Sequence, residues 1–196
     1  ATLLERIYRM TSGTFDAYKT VGVIVPYRNQ IAMIRREIAR KGIPELAHIS
    51  IDTVERYQGS QRDVIIYSFT IQNFSQLNFL TANTFQEDEY VIDRKLNVAI
   101  TRARKQLFLT GNPQILGANI TFYKLMEYIR MNNGYIQTDT DAFCRGDFIL
   151  PEYMPGWDLQ SENYPLSEAF DHAFRHIVEE NSRINKDEAR NRELTA

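Results

Sequence analysis

A chain of 196 residues with a hydrophobic fraction of 43% has the material for one domain of ordinary size plus an appendage, which excludes a disordered tail. Its 23 basic residues against 25 acidic ones leave a formal net charge of −2, so any nucleic-acid binding must come from local placement of Arg, Lys and backbone donors. The one cysteine, Cys144, rules out an internal disulfide, and no apolar run approaches the roughly 20 residues that a bilayer span needs.

The N-terminal residues lack a signal-peptide core, which makes a cytoplasmic location the expectation. Leu3, Leu4, Ile7 and Met10 recur at helical spacing and predict an amphipathic helix from the start of the chain, stopping near Ser12-Gly13. That helical start at Ala1, without an initiator Met, suggests an excised domain or a processed product, with excision the preferred expectation. The run from Val21 to Val25 is β-branched and apolar, the mark of a buried strand, and Pro26 ends it. From Arg28 the period becomes helical, with Ile31, Ile34 and Ile38 on one stripe, and Gly42 and Pro44 stop that helix. A brief strand follows at His48 to Ile51, then a loop holding Gln58-Gly59, then a strong strand from Val64 to Phe69.

Residues 72–90 are polar and aromatic without clear period and read as a long surface loop. A helix is predicted over Asp93 to Arg104, a strand over Gln106 to Thr110, and another amphipathic helix over Thr121 to Met131. Strands alternating with helices, with few hairpin signals, argue for an α/β domain with a doubly wound parallel sheet, covered on both faces. Ligands of such a sheet bind beyond the carboxyl ends of its strands. The domain is expected over residues 1–138. Residues 139–196 read as an irregular strap without an independent core, followed by a helix on Ala169, Phe170, Ala173, Phe174 and Ile177 that Ser167 caps, packed on the same domain.

Three segments concentrate the chemistry. The first is Pro26-Tyr27-Arg28-Asn29-Gln30 at a strand-to-helix junction, where the amides of a first helical turn favour anions. Tyr27 there either stacks on a base or plugs the junction. The second is Thr53 to Asp63 (TVERYQGSQRD), in which Gly59 allows a turn that can present N–H groups to a phosphate. The third is Leu96 to Arg104 (LNVAITRAR). At about 100° per residue a helix here buries Leu96, Ala99, Ile100 and Ala103, with Lys95 and Arg102 on one flank and Asn97, Thr101 and Arg104 on the other. Spacing alone also allows both arginines to decorate a solvated helix edge. His172 and His176 stand four apart, but the residues between them lack the Glu of a zinc-protease pattern and no cysteine cluster supports a metal site.

In order and spacing the three segments, from Val21 to Asn112, resemble the late motifs of superfamily 1 helicases. The branch is that of the nonsense-mediated-decay helicase and the Okazaki-flap nuclease-helicase. The resemblance implies a RecA-like second motor domain that works with ATP and Mg²⁺, on single-stranded DNA or RNA, moving 5′ to 3′. No Gly is followed by Lys, so the phosphate loop G-x-x-x-x-G-K-[ST] is absent from this sequence. ATP and Mg²⁺ would then be held mainly by a first RecA-like domain of the same polypeptide, and this chain alone would not hydrolyse ATP. By the resemblance Arg102 is the catalytic arginine finger, while Gln58, Gly59, Gln61 and Arg104 lie near the nucleotide. Pro26, Tyr27, Arg28, Gln30 and Thr53 face the nucleic acid. Gln61 stands where the family commonly has Glu and brings no charge. The competing expectation is a noncatalytic RecA-like module for binding nucleic acid or protein.

Overall fold

The computed structural model describes residues 1–11, 13–57, 60–82, 84–87 and 90–146. Four strands, β1 (Val21–Val25), β2 (Ser50–Thr53), β3 (Arg62–Ser68) and β6 (Ala103–Thr110), form one sheet in the order β2-β1-β3-β6. All three pairings are parallel, with Val25 beside Thr53, Val21 beside Val64 and Arg62 beside Ala103. The strand ends therefore define two rims, a carboxyl edge at Val25, Thr53 and Ser68 and an amino edge at Val21, Ser50, Arg62 and Ala103.

Alternation along the strands fills two cores. Val21, Val23, Val25, Val64 and Ile66 pack with Leu3, Leu4, Ile7 and Ile38 from helices α1 (Thr2–Met10) and α2 (Arg28–Ala39). Ile24, Ile65, Tyr67 and Leu107 face the other way. They meet α3 (Phe74–Thr81), α4 (Arg94–Ile100), α5 (Pro113–Leu116) and α6 (Ile120–Met131) through Leu77, Leu80, Leu96, Ile115, Phe122 and Leu125. A sheet buried on both faces needs apolar residues at successive positions, which is why Val21–Val25 shows no polar alternation. This is the α/β, RecA-like architecture that the sequence predicts.

Several expectations need correction. Met10, placed on the buried stripe of α1, is 55% exposed. The strand predicted at His48 to Ile51 lies at Ser50–Thr53, behind a 3₁₀ turn over Pro44–His48 that Pro44 initiates. Residues 72–90 are not one long loop. Asn73 caps α3 by accepting from the Gln76 N–H, and Leu77 and Leu80 supply its buried side. The exposed Phe74 and Phe79 lie off that face and hide its period. An antiparallel hairpin of β4 (Thr84–Glu87) and β5 (Tyr90–Asp93) follows. The helix predicted over Asp93 to Arg104 ends at Ile100. The Thr101 hydroxyl donates back to Asn97 and Val98 carbonyls, and the Arg62 N–H takes the Arg102 carbonyl at 3.0 Å, which starts β6.

Within the expected strap, residues Thr140–Arg145 form a short helix, α7. It packs against α1, where the Thr2 hydroxyl donates to the Cys144 carbonyl at 3.1 Å and Arg6 donates to the Gly146 carbonyl. The rest of that segment, with its final helix, His172 and His176, lies outside the described residues. No helix among the described residues is long and apolar enough to cross a membrane.

Candidate nucleotide and nucleic-acid site

The carboxyl edge gathers the first segment and Thr53. Chain direction changes at buried Pro26, and Tyr27, with extended φ of −129° and ψ of 135°, becomes the N-cap of α2. No side chain among the described residues caps this helix; the Gln30 N–H donates to the Tyr27 carbonyl at 3.2 Å, which leaves the Arg28 and Asn29 amides for another acceptor. Tyr27 is half-buried and turned onto α3. Its ring stacks on Phe79 at 5.5 Å, and its hydroxyl donates to the Gln76 carbonyl at 3.3 Å. Burial pushes the Tyr27 pKa up. Arg28 is exposed beside it, and the buried Gln30 Oε1 has no hydrogen-bond partner among the described residues.

Thr53 is only 5% exposed, at the end of β2. Its N–H donates to Asp52 Oδ1 at 2.9 Å, and Glu55 follows two residues later. Burial works against the Glu55 carboxylate, but hydrogen bonds from its own backbone and from Thr53, with the Lys95 ammonium, outweigh it and hold its pKa below the usual value. Lys95 Nζ lies 3.4 Å from Glu55 Oε1 and 4.8 Å from the Phe79 ring centroid. Beneath them Asp93 caps α4, accepting from the Leu96 N–H at 3.0 Å, and its burial raises its pKa. The Tyr67 hydroxyl, also buried, has its pKa pushed far up by desolvation and by the Asp93 and Glu55 charges.

The amino edge gathers the other candidates. Gln61 is exposed, and its Nε2 donates to the Thr101 carbonyl at 3.4 Å. With the Arg62 to Arg102 backbone bond, this fastens the 60–62 segment to the Thr101-Arg102 turn. Gln58 and Gly59 lie outside the described residues. Tyr57, just before them, is 2% exposed and sits over Gly22, where an added Cβ would come 1.7 Å from the tyrosine oxygen. Gly22 is thus what lets the loop anchor on β1.

Arg102 and Arg104 do not occupy opposite flanks of one helix, as the spacing suggests. Arg102 sits in the turn, half-buried, with Nε donating to the Val98 carbonyl at 3.2 Å and Nη2 to the Thr101 hydroxyl at 3.1 Å. No ion pair ties it to a carboxylate among the described residues. Arg104 lies on β6, and its Nη2 pairs with Asp63 Oδ1 at 2.8 Å. The ladder between β3 and β6 shifts register between Arg62 and Val64, next to that pair. Lys105 Nζ approaches the other Asp63 oxygen at 3.7 Å.

Ligands are expected beyond the carboxyl ends of the strands, and of the described candidates Pro26, Tyr27, Arg28, Gln30 and Thr53 lie there. Gln61, Arg102 and Arg104 are at the opposite rim, about 20 Å away by the length of a seven-residue strand. Sequence reasoning missed Glu55, Phe79 and the burial of Lys95. Lys95 stands four residues before buried Ala99, so their shared helix face was a usable signal.

A family model described as an AAA domain matches residues 1–114. The chain belongs to this family, and with it to the superfamily 1 helicases of the nonsense-mediated-decay type, as a C-terminal RecA-like motor domain. It is similar to the putative helicase mov-10-B.1 of Danio rerio, 32% identical over 140 residues, which cover 69% of this chain and 14% of that protein. The RNA helicase Mov10l1 of Homo sapiens is 34% identical over 124 residues, or 61% of this chain and 9% of the relative. Helicase sen1 of Schizosaccharomyces pombe is 36% identical over 97 residues, 49% of this chain and 5% of its own length. The chain thus spans a small part of the relatives it matches.

Proposed function

We propose that this domain is the second motor half of an ATP-dependent helicase, supplying Arg102 to hydrolysis at its amino edge and binding single-stranded nucleic acid at its carboxyl edge. The supporting observation is the contrast between the two arginines. Asp63 neutralises Arg104, whereas Arg102 is oriented by neutral oxygens alone and keeps its full charge for an anion. A cation so held stabilises the charge that develops on a transferring phosphoryl group, an effect worth about 10³–10⁵ in rate. Gln61, bonded to the same turn, stands where a ribose or phosphate oxygen could take its amide.

The residues present fit a triphosphate in part. They offer a cation and amide donors, but no group of three acidic, His or Cys side chains among the described residues could hold Mg²⁺. The metal and most of the nucleotide then belong to a first RecA-like domain carrying the phosphate loop. ATP, when bound there, supplies the phosphoryl group that is cleaved.

At the other rim, the uncapped α2 amides and Arg28 suit a strand phosphate, with Pro26, Gln30 and Thr53 around them. RNA is the proposed strand, since the relative Mov10l1 is named an RNA helicase. Titrating the chain with a fluorescent oligoribonucleotide should give weak, salt-sensitive binding that Arg28→Ala lowers. In the longer helicase polypeptide, Arg102→Ala should abolish most ATP turnover. Full turnover in that variant would favour a noncatalytic interaction module instead.

A further inference from the structure

Helix α4 joins the two rims, with a side chain at one end and its backbone at the other. Its first turn carries Lys95, at the carboxyl edge, and its end passes directly into the Thr101-Arg102 turn at the amino edge. Lys95 meets both elements proposed to touch the strand. Through Glu55 it reaches the turn that follows Thr53 at the end of β2, and through Phe79 it reaches Tyr27 at the head of α2.

The pair is lopsided. The Lys95 side chain is 10% exposed and the Glu55 side chain 57%. A buried ammonium cannot swing into water without losing its packing, whereas an exposed carboxylate can change partners freely. A strand phosphate docked at the end of β2 repels the exposed Glu55 carboxylate two residues beyond Thr53, and the hold of Glu55 on Lys95 changes. The stem of Lys95 is fixed to α4, whose backbone also holds the Arg102 Nε through the Val98 carbonyl at 3.2 Å. A seven-residue helix, capped by buried Asp93, moves as one piece.

We propose that Lys95, paired with Glu55 and lying over Phe79, is a positioning residue that transmits single-strand occupancy of the carboxyl edge along α4 to Arg102. This rests on the binding reading above. It adds to that reading a specific residue and a specific path, one that bypasses the Gln58-Gly59 loop.

The test uses the 196-residue chain, ¹⁵N-labelled, titrated with a single-stranded oligoribonucleotide. In the unaltered chain the amide resonances of Arg28 and Glu55 shift, and so do those of Thr101 and Arg102. In Lys95→Met the Arg28 shift persists and the Thr101 and Arg102 shifts are lost, and Lys95→Arg restores them. Glu55→Gln, at an exposed carboxylate, gives the same loss without a risk to folding. Shifts at Thr101 and Arg102 that survive in both Lys95→Met and Glu55→Gln, or that never occur although Arg28 responds, overturn the coupling while leaving strand binding intact. Silence at Arg28 as well defeats the binding reading, and the coupling with it.

Discussion

At the carboxyl edge, charges are buried or shared: Lys95 is held by Glu55 and Phe79, Asp93 is sealed under α4, and Tyr27 is stacked and hydrogen-bonded. At the amino edge they lie nearer solvent on short segments, tied together by backbone bonds and by the ion pairs of Asp63 with Arg104 and Lys105. Under the proposed function, the difference separates two tasks. A rim that grips a long polyanion through backbone amides gains from rigid walls that set register. A rim that must meet another domain and act on a phosphoryl group gains from a cation that remains uncompensated until the cleft closes.

Removing Arg102 should break the comparison hardest. Arg102→Ala in the helicase polypeptide is expected to lower kcat about 10³-fold while leaving oligonucleotide affinity unchanged, as steady-state ATPase and anisotropy measurements would read. Arg104→Ala should cost less than about tenfold, because it removes a half-exposed surface pair worth about 0–1 kcal/mol. Equal losses would erase the distinction between the two arginines.

Next in size is Gly22→Ala, in which the new Cβ would have to displace the Tyr57 ring. Urea denaturation should show about 1–3 kcal/mol of lost stability, as for other overpacked cores. Adding Tyr57→Phe, which deletes the oxygen at 1.7 Å, should recover part of it. No loss in the single variant would mean that the loop does not depend on this anchor.

Smaller still is Arg28→Ala, expected to reduce the slope of log affinity against log salt by about 1, since it deletes one phosphate contact. An unchanged slope would place the strand elsewhere.

The smallest effect concerns Asp93. Burial raises its folded pKa above the ordinary 3.8, so the folded state binds this proton more tightly than the unfolded state does. Stability from this group is full below that ordinary value and declines as pH rises through the raised one. Asp93→Asn, whose amide oxygen can still cap α4, should flatten that decline in thermal melts taken across the acidic range. A steeper decline would show the carboxylate to be favoured on folding.

The sheet was legible because buried parallel strands leave unbroken apolar runs, as at Val21–Val25 and Val64 to Tyr67. The helix α3 was not, since its exposed Phe74 and Phe79 scrambled the period on which such a reading depends. The helix-to-strand switch after Ile100 was equally hidden. Thr101, Arg102 and Ala103 have no strong local preference, and the bond from Arg62, about 40 residues earlier in sequence, decides their conformation. The candidate residues could be named in order, but not divided between two rims, because that division follows from strand register.

The parallel order also fixes a sequence of assembly. Parallel neighbours cannot be joined by tight turns, and β3 finds its last partner only when Gln106 reaches Val64. The three strands bearing Tyr27 and Thr53 are complete at Ser68, well before the arginines are made. During synthesis the carboxyl-edge rim at Val25 and Thr53 can therefore form first, with β3 as a temporary border whose amides and carbonyls lack partners. A chain cut between Ser68 and Ala103 would leave that border permanent, turning the apolar centre of the sheet into a template for aggregation.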